Sequence, residues 1–103
     1  MNYDKYRYQP DNEYACTGTA KQIVESLKCL GIEAKIYEVI YKKGTPDETG
    51  HCFVIPSNAK DSDLPLNIPS YDPDNKPLVG EIKKIGIDVT EDILSSTWDQ
   101  LRG

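Results

Sequence analysis

One apolar stripe does most to limit what this chain can become. Ala20, Ile23, Val24, Leu27 and Leu30 recur at the three-and-four spacing of a single helical face, while Lys21, Glu25 and Lys28 fall outside it. The pattern opens at Cys16 and stops at Gly31, a residue suited to the left-handed conformation wanted just past a helix end. A helix with one buried stripe needs a surface to cover. The chain supplies one at once, because "IEAKIYEVIY" is rich in β-branched and aromatic residues, with Ile32, Ala34 and Ile36 alternating against Glu33 and Lys35. The alternation blurs at Tyr37, which predicts a bulge or burial on both faces there.

The polar run "KKGTPDETG" then turns the chain back, and "HCFVI" reads as a second strand antiparallel to the first, stopped by Pro56. "PSNAKDSDLPLNIPSYDPDNKP" carries several prolines and reads as a long loop with room for a short edge strand in "PSYDP". "PLVGEIKKIGID" is expected to supply one or two more strands. "DVTEDILSSTWDQLRG" reads as one final helix, with Asp88 and Glu91 as a capping box and Ile93, Leu94, Trp98 and Leu101 on its apolar face. Trp98 is expected to anchor that helix on the sheet. Residues 1–15 form a polar arm bearing Tyr3, Tyr6, Tyr8 and Tyr14, too aromatic for a plain linker, and expected to pack on the body. The organisation is therefore an arm, 1–15, and a single domain, 16–103, of the α+β class: an N-terminal helix on a small antiparallel sheet, with a C-terminal helix.

With 103 residues the chain has room for one core. Its 38% hydrophobic and 28% charged residues match a soluble globular protein, and a net charge of −5 gives no basic footprint for nucleic acid or anionic lipid. No apolar run approaches the roughly 20 residues that span a bilayer, and the polar start lacks a signal-peptide core. The expectation is a chain that is cytoplasmic or delivered as part of a larger secreted protein. Three cysteines cannot all pair internally, and no C-x-x-C motif is present. With neither a glycine-rich phosphate loop nor metal-spaced carboxylates, no cofactor or metal is called for.

Two residues carry the candidate chemistry. Cys16 opens the helix, where free N–H groups and the macrodipole favour a thiolate. His51, the only histidine, opens the second strand and can serve as its base. A later polar group would orient the ring, with Asp72 in "SYDPDN" first and Asp74 and Asn75 behind it. An oxyanion formed in acyl transfer would take the Cys16 N–H and one side-chain donor from the arm: Gln9, Asn12 or Tyr14. Cys29 and Cys52 read as core thiols, with Cys52 pointing to the sheet face opposite His51. Each candidate also has a bland reading, a small buried cysteine and a surface histidine.

The run "YACTGTAKQIVESLKCLGIEAKIYEV", then "GHCFVI" and "YDPDN", resembles the core of the transglutaminase-like and papain-like cysteine enzymes. The likeness covers about residues 13 to 75 and implies a nucleophile at Cys16, a base at His51 and an orienter at Asp72, with Ala20, Gly31 and Ile32 at scaffold positions. The segment also resembles papain-fold toxin domains at the C-termini of bacterial polymorphic toxins. The family's usual His-Ala-Trp reads His-Cys-Phe here. What the likeness implies is a thiol-dependent acyl-transfer enzyme (peptidase, deamidase or transglutaminase-like) acting on a protein or peptide amide, with a cognate protein as a further partner; charge and hydropathy, as above, call for neither nucleic acid nor membrane. The rival expectation is a small acidic binding protein, of immunity or inhibitor type, whose cysteine is structural.

Overall fold

The structure, a computed structural model, describes residues 3–10, 15–69 and 77–101. Its centre is the helix that the apolar stripe demands. This helix, α2 (Cys16–Cys29), buries Ala20, Ile23, Val24 and Leu27 along one side. Its last turn is closed by backbone alone: Gly31 at φ 78° lets its own N–H reach the Lys28 carbonyl at 3.0 Å, and lets the Ile32 N–H reach that of Leu27 at 2.9 Å. This double closure needs a left-handed residue, which glycine adopts without a Cβ clash. The preceding α1 (Asp4–Arg7) is a single turn in the arm.

Two strands follow, β1 (Ala34–Tyr41) and β2 (Thr49–Pro56), paired antiparallel from Ala34 opposite Pro56 to Tyr41 opposite Thr49. β2 starts two residues earlier than the apolar pattern of "HCFVI" suggests, so His51 lies inside the strand. A two-residue strand β3 (Ile87–Asp88) pairs on the far side of β1, giving the order β2-β1-β3. The molecule is thus α+β with a small three-stranded antiparallel sheet.

Both sheet faces are covered, which accounts for the blurred alternation in β1. Ile36, Cys52 and Val54 face α2 and join Leu27 and Leu66 in one apolar cluster. Val39, Phe53 and Ile55 face the other way, onto Ile68, Val79 and Ile82. Leu27, Ile36 and Phe53 are fully buried, and each such side chain contributes about 1.5–3 kcal/mol of transfer free energy. Leu27→Ala would forfeit most of that and leave a cavity.

Several expectations are corrected. Residues 79–85 are not a strand but α3 (Val79–Ile85), in which Val79 and Ile82, three apart, share the buried side. Gly80 belongs there for room: a Cβ on it would stand 2.9 Å from the Asp61 Cβ. The single C-terminal helix is two short ones, α4 (Thr90–Leu94) and α5 (Trp98–Leu101). Between them the Ser95 and Ser96 hydroxyls donate back to the Asp92 carbonyl at 3.2 and 2.7 Å, local bonds that compete with helix continuation. No capping box forms. Asp88 instead accepts from the Thr90 N–H at 3.0 Å and its hydroxyl at 2.6 Å, bonds that hold its carboxyl below the usual range, with Lys35 adding to the effect. Trp98 is half-buried, packs as expected on the cluster that α2 and the sheet share, and also meets Lys21, whose ammonium lies 4.7 Å from the ring centroid and donates to the Ser96 carbonyl at 2.6 Å. Cys29 is exposed, because two positions from Leu27 is the opposite side of a helix. Leu30 is 52% exposed, beyond the last helical residue.

The arm is stitched to the loop after β2. Asn67 N–H donates to the Tyr6 carbonyl, Ile68 N–H to that of Arg7 and Gln9 N–H to that of Ile68, at 2.8–2.9 Å. Arg7 adds guanidinium bonds to the carbonyls of Leu64 (2.9 Å) and Pro65 (3.2 Å). Leu66 in turn exchanges both backbone bonds with Val54 on the outer edge of β2. The arm and this loop therefore extend the sheet's edge beside the start of α2.

Candidate functional site

The N-terminus of α2 is finished differently from its other end. Ala15 occupies the N-cap with no side-chain bond, and no acidic residue sits in the first turn. The first N–H groups of the helix have no intrahelical acceptor, so their partial positive charge falls on what stands beside them. Cys16, the first helical residue, stands there half-buried.

Its sulfur has two polar side-chain neighbours. The Cys52 thiol is the stronger influence and the His51 imidazole the second; together they outweigh burial and lower the Cys16 thiol from its ordinary 9.0 to about 4. A thiolate is therefore the resting form near neutral pH. Cys52 responds in the opposite sense: donating to an anionic neighbour, and buried, it holds its proton well above the ordinary thiol range. Cys52 packs within the α2 cluster, and His51 stands beside Phe53 at 4.8 Å in an edge-to-face contact.

His51 is 2% exposed. Its Nε2 is 2.5 Å from the main-chain carbonyl of Asn67. A carbonyl only accepts, so Nε2 carries the hydrogen and Nδ1 keeps the lone pair. Nδ1 is buried and closes no hydrogen bond among the described residues. The ring is thus held in one tautomer, with its basic nitrogen unspent and a thiol beside it. Nucleophile and base commonly stand in this loose form before substrate arrives.

Asn67 was not among the residues singled out from the sequence, and it touches every part of the site. It is fully buried at φ 64°, a conformation asparagine tolerates better than most residues. Its carbonyl holds His51, and its side-chain amide donates to the Cys16 carbonyl at 3.1 Å and to the Cys52 carbonyl at 2.7 Å. On the edge of β2, Leu66 pairs with Val54 through backbone, and the Asn67 amide then takes the carbonyl where the next backbone donor would stand. The left-handed turn at 67 makes this substitution necessary. The only hint in the sequence was an asparagine between apolar residues and prolines in "LPLNIPS". A residue that orients a ring through its main chain leaves no side-chain signature.

Gln9 lies on the arm next to Tyr8, which bridges Ile68, the residue after Asn67. The Gln9 Oε1 is buried with no partner among the described residues. Asp72, with Asp74 and Asn75 behind it, and the two other arm donors, Asn12 and Tyr14, lie outside the described residues. No group of three or more metal-ligating side chains occurs among the described residues, and no described helix is long and apolar enough to cross a membrane. A groove lined by Val24, Ile32, Ile55, Pro56 and Leu94 lies at the other end of the strands, and neither Cys16 nor His51 borders it. Comparison with protein-family models, with curated proteins and with solved structures finds no match.

Proposed function

We propose that the chain is a thiol-dependent acyl-transfer enzyme of papain-like or transglutaminase-like type, acting on an amide of a protein or peptide. The observation that carries this reading is the Cys16 sulfur at the open end of α2, beside an imidazole whose other nitrogen is tied to the Asn67 carbonyl. Cys16 thiolate attacks the carbonyl carbon, and the oxyanion takes the Cys16 N–H with the Gln9 amide as the arm's donor. His51 Nδ1, whose lone pair takes the Cys16 proton, passes that proton to the departing amine. Water or a second amine then attacks the thioester, with the same nitrogen taking the proton. The Asn67 carbonyl steadies the imidazolium through Nε2–H in the first step and keeps the tautomer in the second. Asp72 belongs to the same reading as a further orienter arriving from the loop.

The test uses an active ester. The full chain treated with p-nitrophenyl acetate at pH 5.5 is expected to carry an acetyl thioester at Cys16, found by peptide mass. His51→Ala should slow that acylation by about 100-fold, the lower end of what a positioned acid-base group supplies. Acylation of Cys29 at an equal rate, or a Cys16 rate indifferent to His51→Ala, would leave the acidic binding protein as the better reading.

A further inference from the structure

Cys52 has no part in that chemistry as a base, an orienter or an oxyanion donor, yet it stands closest to the nucleophile in effect. The main chains of the two cysteines are held together independently of their sulfurs. A single nitrogen, Asn67 Nδ2, bonds both carbonyls, at 3.1 Å to Cys16 and 2.7 Å to Cys52, which is possible only where helix start and strand run side by side. Cys16 packs against the same apolar cluster that contains Cys52. Disulfides need main chains about 4.4–6.8 Å apart at Cα with side chains converging. Here the two thiols are neighbours within one packed cluster, and both are free.

We propose that Cys16 and Cys52 form a reversible disulfide when a hydroperoxide oxidises the site, and that this bond is a redox switch which withdraws the nucleophile. In the first step the Cys16 thiolate attacks the outer peroxide oxygen: an S–O bond forms, the O–O bond breaks, the sulfur is oxidised to a sulfenic acid, and the alkoxide or hydroxide that leaves takes a proton from solvent to become an alcohol or water. In the second, the Cys52 sulfur attacks the Cys16 sulfur, an S–S bond forms, the S–O bond breaks, and hydroxide leaves with the Cys52 proton as water. The order of events is built into the geometry. Half-buried Cys16 meets the oxidant, whereas Cys52, 1% exposed, does not. While Cys16 is an anion, its charge and hydrogen bond keep Cys52 protonated and inert. Once Cys16 becomes a neutral sulfenic acid the part of that restraint due to Cys16 is lifted, leaving burial and the Glu38 charge, and Cys52 is freer to give up its proton as it attacks. The buried thiol is thus armed by the oxidation of its neighbour. Cys29, exposed at the far end of the helix, lies outside the pair.

The experiment reads the bond itself and does not depend on acyl transfer. The full chain is treated with hydrogen peroxide, alkylated and mapped by peptide mass. The expected result is a Cys16–Cys52 linked peptide pair lighter by two hydrogen atoms, with Cys29 alkylated and with alkylation of Cys16 fully recovered by dithiothreitol. In Cys52→Ala and in Cys52→Ser, peroxide should instead carry Cys16 on to the sulfinic acid, which dithiothreitol does not reverse. The proposal is overturned if native protein gives the sulfinic acid as readily as those variants, or if any disulfide formed joins Cys29 between two chains. The switching role rests on the acyl-transfer reading: a disulfide with no acetyl thioester would refute that reading and leave only the reversible Cys16–Cys52 bond standing.

Discussion

The two ends of α2 each carry a cysteine, and the contrast between them shows where this protein's chemistry comes from. At the C-terminal end the carbonyls are satisfied by Gly31 and Ile32, Cys29 points to solvent, and nothing from elsewhere in the fold is needed. At the N-terminal end no side chain caps the helix, and Cys16 is met by Cys52 and His51 from β2 and by Asn67 from the loop beyond it. A locally completed end leaves its cysteine ordinary in position. An end left open to tertiary partners can gather a thiolate, an imidazole and a second thiol.

The contrast is broken most severely at Asn67. Asn67→Ala removes the amide from two main-chain carbonyls and puts a Cβ residue at φ 64°, so a loss of about 2–4 kcal/mol is expected in denaturant unfolding. Asn67→Gly keeps the backbone conformation and the carbonyl that holds His51. It should cost less than the alanine variant and retain the low-pH reactivity of Cys16 toward iodoacetamide. Equal losses in stability and reactivity for the two variants would mean that the left-handed turn is irrelevant.

A smaller effect is expected at the closed end. Gly31→Ala places a side chain at φ 78°, where strain of about 1–2 kcal/mol replaces the free glycine turn. Open space surrounds the position, so the loss is conformational and not steric. The reactivity of Cys16 should be unchanged, since the two ends are completed by separate groups. A shift in the pH profile of Cys16 labelling would show that the ends are coupled.

The smallest effect belongs to Cys29→Ser. An exposed position at a helix end is expected to change stability by less than about 0.5 kcal/mol. With that thiol gone, iodoacetamide labelling reports on Cys16 above all. Labelling should stay fast from neutral pH down to about 5 and fall only as pH approaches 4, because the lowered thiol is protonated only there. A profile that instead rises around pH 8.5, where unperturbed thiols ionise, would contradict the influence of Cys52 and His51.

The residues explain which features could be read early. The helix over Cys16–Cys29 was legible from its stripe, its end from Gly31, and the hairpin from its flanking turn chemistry. These are local rules, each resting on a few adjacent residues. Residues 79–85 were misread because "PLVGEIKKIGID" is short and apolar enough to suit strand or helix, and contact with Asp61 and the β1 face resolves it. The C-terminal helix was read as one because its apolar spacing runs through the serines, whereas the break is made by Ser95 and Ser96 bonding to Asp92.

The site divides along the same line. By itself the sequence determined that a cysteine starts a helix and that the sole histidine lies in the next hairpin, since both follow from periodicity and turn residues. Only the tertiary structure decided what surrounds them. Asn67 acts through a main-chain carbonyl that every residue possesses, and Cys52 acts through its nearness to a helix thirty-odd positions earlier in the chain. Neither property is written in a side chain's identity, because a lowered thiol and a fixed tautomer arise from distances between segments, and these exist only once both faces of the sheet are covered.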